Sequence, residues 1–174
     1  MITMKAMLRV LLFCFAMSEA GVAQTPDGIQ WMSMEEAEAA CKKKPRKIFV
    51  DVYTDWCGWC KKMDKSTFRD SLVMKLAGEK FYSVKLNAEG RDNIIFRDKV
   101  FHFSESMRAN ELAVMLLSGE MSYPSIAFLD EKLQPIQTHG GYADATQFHL
   151  MLRYFSENAY KKKSLNEFSS DAKR

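Results

Sequence analysis

Hydrophobic and polar positions alternate along this chain between helical and strand-like periods. Ser33-Met34-Glu35-Glu36 sets a hydroxyl three residues before a carboxylate, a capping box that predicts a helix running to about Lys43, with Pro45 as its stop. The run KIFVDVY, residues 47–53, is almost continuously apolar and rich in β-branched and aromatic side chains, which predicts a strand buried on both faces. Asp51 is its one acid. A helical pattern resumes from Cys57 to about Lys65, and a second one covers residues 70–77, with Gly78 as its expected C-cap. FYSVKLN, residues 81–87, reads as the next strand. Residues 88–106 are turn-rich, with a small hairpin expected near 99–103, and a helix is expected over 110–118, closed by Gly119. Residues 125–130 and 133–139 read as a hairpin whose second strand, carrying Pro135, belongs at a sheet edge. After the Gly140-Gly141 bend, Asp144 caps a helix in which Phe148, Met151, Leu152 and Phe155 recur at helical spacing. Helices between the early strands imply parallel pairing and the late hairpin adds antiparallel strands, so the fold class is α/β with a mixed central sheet flanked by helices.

The length of 174 residues, 47% hydrophobic and 27% charged, belongs to one globular domain. The N-terminus has a different character. Lys5 and Arg9 precede an apolar run over residues 10–17, and Gly21 and Ala23 have the spacing of a signal-peptidase site, so residues 1–23 are expected to be a signal peptide cut after Ala23. The run is shorter than the roughly 20 residues that cross a bilayer, so no stable membrane insertion is expected after cleavage. Cleavage would remove a net +1 (Lys5, Arg9, Glu19) from +3 and leave +2. The short basic clusters 42–44, 161–163 and 173–174 lack interleaved aromatics, which argues against nucleic-acid binding. The domain is therefore expected over 24–160, with a disordered basic tail over 161–174.

After cleavage three cysteines remain, Cys41, Cys57 and Cys60, an odd count that suits one redox pair and one spare thiol better than a stapled framework. In Trp56-Cys57-Gly58-Trp59-Cys60 two cysteines stand where a strand hands over to a helix. Cys57 would sit at the helix N-terminus, where free backbone amides and the positive end of the dipole stabilise a thiolate. Cys60, one turn on, lies on the same face and could resolve a mixed disulfide formed by Cys57. A structural disulfide and half of a zinc site are the competing readings. The remaining candidate ligands are Cys41, His102, His139 and His149, without a second CxxC, so no metal and no cofactor is expected. Cys41, behind Ala39 and Ala40, reads as a small buried hydrophobe, and His102, between Phe101 and Phe103, as a hairpin side chain.

The segment VDVYTDWCGWCKKMDKSTF, residues 50–68, resembles the redox centre of the thioredoxin superfamily, and is especially similar to the C-terminal domain of DsbD-type disulfide reductases. The resemblance extends over roughly residues 30–160, taking in Val84-Lys85-Leu86-Asn87 and Tyr123-Pro124-Ser125. It implies a thioredoxin-like fold in which Asp51 is a buried proton acceptor for Cys60, Lys85 is its charge partner, and Pro124 is cis. Trp56, Gly58, Trp59, Tyr123 and Pro124 would then present the site to a protein thiol or disulfide substrate. The implied localisation is periplasmic or secreted, and the implied electron donor is membrane-bound or thioredoxin-like.

Two departures from the resemblance bear on function. Gly58-Trp59 replaces the Gly-Pro of thioredoxin between the cysteines, a position that tunes the reduction potential, so the direction of electron flow stays open. Asn87 and Pro124 lie 37 positions apart, about 20 more than the minimal pattern, so residues 88–121 read as an insertion, a class of segment that often carries specificity. A thiol-disulfide oxidoreductase, reducing rather than oxidising, is the first expectation. A non-catalytic binding module of the same fold and a metal carrier using the CxxC are the alternatives.

Overall fold

The computed structural model describes residues 28–171. The expected signal peptide and residues 172–174 of the expected tail lie outside them. In chain order the elements are β1 (Trp31–Met32), α1 (Met34–Lys43), β2 (Lys47–Tyr53), α2 (Gly58–Lys65), α3 (Ser71–Lys80), β3 (Phe81–Asn87), β4 (Ile94–Phe96), β5 (Lys99–Phe101), β6 (Phe103–Ser104), β7 (Ala109–Asn110), α4 (Glu111–Leu116), β8 (Ser125–Leu129), β9 (Pro135–Gly140), α5 (Ala145–Ser156) and α6 (Leu165–Asp171).

Five strands form one sheet in the order β1-β3-β2-β8-β9, with β1, β3 and β2 parallel and β8 and β9 antiparallel. This is the expected mixed sheet. β2 is central, so its side chains need apolar cover on both faces, which the continuous apolar run supplies. Strand alternation then assigns the faces. Phe49, Ile126 and Phe128 pack on one side with Met63 of α2, Val73 and Ala77 of α3, and Phe148, Leu152 and Phe155 of α5. Ile48, Val50, Val52 and Leu129 pack on the other with Met34, Ala37 and Cys41 of α1 and Leu112, Ala113 and Leu116 of α4. Phe49 meets Phe148 edge-on at 5.3 Å and Phe128 stacks on Phe155 at 3.9 Å, tying α5 to the sheet centre. Each such ring buried from water contributes about 2–3 kcal/mol.

The capping boxes form as expected, Ser33 with Glu36 for α1 and Asp144 with Gln147 for α5. Three expectations need correction, and one strand lay outside them. Gly78 does not end α3, which runs on to Lys80: the next residue, Phe81, is anchored in the core and its N–H bonds Ala77, and Arg46 Nη1 holds the Gly78 carbonyl at 2.9 Å. The expected hairpin near 99–103 is β4 with β5, starting earlier than its alternation implied. A two-residue β1, too short to show a period, covers the edge of β3. The tail is not disordered over the described residues: α6 forms because Phe168 is buried against Tyr154, whose hydroxyl donates to the Lys163 carbonyl at 2.7 Å.

Residues 88–121 hold the β4–β5 and β6–β7 ribbons and α4. α1 secures the first ribbon, with Ile95 N–H and Arg97 N–H donating to the Glu35 and Glu38 carboxylates at 2.8 and 2.9 Å. α4 contributes Leu112 and Leu116 to the core, so this part of the segment supports the sheet, while the two ribbons stand apart from it.

Candidate active site

β2 ends at Tyr53 and the chain turns through Thr54-Asp55-Trp56 into α2. Cys57 is the N-cap of α2: its N–H donates to the Thr54 carbonyl at 3.1 Å, and its sulfur accepts the Cys60 N–H at 3.0 Å. Cys57 and Cys60 are joined in a disulfide, with their Cα atoms 5.3 Å apart. They are only 4% and 2% exposed. No acidic residue occupies the first turn of α2, so the positive end of the helix is left to the Cys57 sulfur once the bond is reduced.

Beneath α2, on the sheet face that carries Phe49 and Ile126, lies a buried charge cluster. Asp51 is 1% exposed and stands in register with Lys85 on β3 and Ile126 on β8. Lys85 Nζ lies 3.3 Å from Asp51 Oδ2 and also pairs with Asp64 of α2. It is shielded by the rings of Trp31, Tyr53 and Phe68 at 4.9, 5.1 and 5.6 Å. β3 is not an edge strand, because β1 pairs along it. Burial pushes the Asp51 carboxyl up to about 6, against the pull of Lys85 and with a further push from Asp64. Neither oxygen of Asp51 accepts a hydrogen bond among the described residues. The one other buried side-chain oxygen without a partner there belongs to Thr54, next to the CxxC. Buried polar atoms without a hydrogen bond are costly, and here they lie on β2 and in the turn that leads from it to Cys57.

Around the disulfide stand four aromatic residues from three parts of the chain. Trp56 and Trp59 are 66% and 55% exposed, so core burial is not their role. Trp56 meets Tyr123 edge-on at 5.9 Å and donates its Nε1–H to both carboxylate oxygens of Glu89, at 3.0 and 3.1 Å. Trp59 packs on Tyr142 at 5.1 Å. The Tyr123–Pro124 peptide is cis, Pro124 is buried, and the Pro124 carbonyl accepts the Gly141 N–H at 2.7 Å, which joins the start of β8 to the bend after β9. Gly58 opens α2 between the two sulfurs, exposed to solvent.

Residues 20–166 match the family described as Thioredox_DsbH, protein of unknown function DUF255. The chain belongs to that family. This Thioredox_DsbH member is also 30% identical over 123 residues to the thiol:disulfide interchange protein DsbD of Citrobacter koseri, covering 70% of the chain and 18% of the relative. The chain thus spans about a fifth of the length of the DsbD relatives it matches. Among solved structures it is similar to a thioredoxin-fold protein from Helicobacter pylori (TM-score 0.60, 16% identity, covering 87% of this chain and 91% of that one). It is also similar to a DsbH oxidoreductase (TM-score 0.52, 20% identity, covering 78% and 87%). It is a thioredoxin-superfamily protein similar to DsbD, with a thioredoxin fold.

The structure brings Asp51 to Lys85 and Trp56 to Tyr123, and it adds residues that sequence reasoning missed. Asp64 carries a visible signal, standing four residues after Cys60 and therefore on the same face of α2. Glu89 and Tyr142 carry none, since only the fold sets them beside the two tryptophans. His102 stays within the 88–121 segment, where Nδ1 meets Asn93 Oδ1 at 2.9 Å and its N–H donates to Glu111 at 3.0 Å. Cys41 is a buried free thiol whose sulfur approaches the carbonyls of Arg46 and Glu131, on the other sheet face from Asp51.

Proposed function

We propose that this protein is an exported thiol-disulfide oxidoreductase that reduces protein disulfides with its Cys57–Cys60 dithiol. The observation carrying this reading is a cysteine pair at a helix N-terminus above a desolvated carboxylate poised near neutral pH. In the reduced form the Cys57 thiolate attacks one sulfur of a substrate disulfide, forming a mixed disulfide and releasing the other substrate sulfur as a thiolate, which takes a proton. Asp51, kept at its charge balance by Lys85, accepts the proton of Cys60. The Cys60 thiolate then attacks the Cys57 sulfur, the Cys57–Cys60 disulfide forms, and the second substrate sulfur leaves as a thiolate, which takes up the proton that Asp51 releases through solvent. Two electrons and two protons have passed to the substrate, and a dithiol donor, membrane-bound or thioredoxin-like, returns them. Trp56, Gly58, Trp59, Tyr123 and Pro124 form the surface that receives the substrate chain, the aromatic rings giving contact area at low entropic cost.

Export is supported by the basic and apolar pattern of residues 1–23, and no helix of the described residues is long and apolar enough to cross a membrane. The relatives named thiol:disulfide interchange proteins support thiol-disulfide exchange as the chemistry, and reduction is the direction implied by the resemblance to DsbD-type disulfide reductases. The test is a trapping experiment. Cys60→Ser should accumulate mixed disulfides with substrate through Cys57, while Cys57→Ser should accumulate none and lose insulin reduction. If alkylation at neutral pH labels Cys60 and spares Cys57, these roles are wrong.

A further inference from the structure

The face around the disulfide is divided by charge. On the Trp56 side the polar groups are carboxylates: Glu89 receives the indole N–H, and Asp55 accepts from Asn87 Nδ2 at 3.1 Å. On the Trp59 side the polar group is a cation. Lys62 Nζ lies 4.7 Å from the centre of the Trp59 ring and 5.0 Å from that of Tyr142, between residues of α2 and of the bend before α5.

Lys62 is exposed and, among the described residues, makes no ion pair, in contrast to Lys85 beneath it and to Lys42, Lys47 and Lys163 elsewhere. Trp59 and Lys62 are i,i+3 neighbours on a helix, and that spacing alone would explain their contact. It does not explain Tyr142, which comes from a different element and fixes the ammonium from a second side. Two rings hold a flexible side chain in one place, so a carboxylate arriving there meets an ordered cation beside the disulfide.

We propose that Lys62 is a specificity-determining residue that selects disulfides with an acidic side chain beside the reactive cysteine. This rests on the oxidoreductase reading above. The substrate's acidic side lies over Trp59 and Tyr142, and its other side over Trp56, where Glu89 and Asp55 disfavour a second acid. The aromatic rings give contact of any sequence, and the lysine gives the choice among sequences.

The full chain, reduced at both cysteines, is mixed with three peptides that share one intrachain disulfide and differ in carrying Glu, Gln or Lys beside it. Tryptophan fluorescence follows the second-order rate. Wild type should prefer the Glu to the Lys peptide by roughly fivefold, the scale of one exposed ion pair. Lys62→Glu, exchanging attraction for repulsion, should lower that ratio by on the order of tenfold, and Lys62→Arg should keep it. The preference should also shrink in 1 M salt, where screening extends to about 3 Å. A wild-type ratio within about twofold of unity, or a Lys62→Glu variant that slows all three peptides alike, would overturn the proposal. Failure of the reduced wild type to react with the peptides or with neutral hydroxyethyl disulfide would sink the oxidoreductase reading itself, and this one with it.

Discussion

Replacing Asp51 with asparagine isolates the energetic strain that the site imposes on the fold. The carboxyl is raised from 3.8 to about 6, chiefly by burial. A raised folded pKa means that the native state holds the proton more tightly than the unfolded chain does. Native stability is then unaffected below about pH 4, falls as pH rises through 4 to 6, and stays low above that. The shift of about two units corresponds to about 3 kcal/mol at neutral pH, or roughly 6–12 °C in Tm for a domain of this size. The substituted amide does not titrate. Its own cost, that of a buried polar group without a good partner, is independent of pH and appears as a constant offset.

The assay is urea unfolding of the oxidised protein from pH 4 to pH 8, with wild type and Asp51→Asn in parallel. Keeping the disulfide intact removes Cys57 and Cys60 from the titration, and the free Cys41 is common to both proteins. Carboxylates whose pKa is lowered, such as Glu38 and Glu131, act in the opposite sense at acid pH and cancel between the two proteins. Wild type should lose about 3 kcal/mol relative to Asp51→Asn across this range. A gap constant to within about 0.5 kcal/mol would show that Asp51 is not held at a raised pKa, and the proton-acceptor role would fall with it.

Two further predictions concern direction and the C-terminus. The Cys57–Cys60 couple, equilibrated in glutathione buffers, should have a potential nearer the thioredoxin value of about −270 mV than the roughly −120 mV of a strong oxidant; a value at the oxidising end would reverse the proposed electron flow. Phe168→Ala should destabilise the fold by about 3 kcal/mol in urea, because it removes a buried ring that Tyr154 packs on. A loss below about 0.5 kcal/mol would return α6 to the status of a dispensable tail.

Legibility in the sequence followed the range of the interactions. The capping boxes at Ser33 and Asp144, the run of β2 and the spacing of α5 are local patterns, and each element formed where its residues placed it. Where local signal and distant packing disagreed, packing prevailed. Gly78 signals a helix end, yet α3 continues because Phe81 is pinned in the core. Polar, serine-containing residues after 160 signal disorder, yet one phenylalanine with a place to bury is enough to order a short helix.

The candidate site divides in the same way. The cysteine spacing after a strand, the acid inside a buried strand and the lysine on the next strand are written into consecutive residues, and through the resemblance they were sufficient to name Cys57, Cys60, Asp51 and Lys85. Sequence alone did not reveal that Lys85 is shared with Asp64, that Glu89 grips Trp56, or that Tyr142 and Trp59 hold Lys62 between them. These contacts join residues 21, 33 and 80–83 positions apart. A helix or strand period is set by backbone geometry within a few residues, whereas which distant side chains meet is decided only when the sheet order β1-β3-β2-β8-β9 brings their elements together.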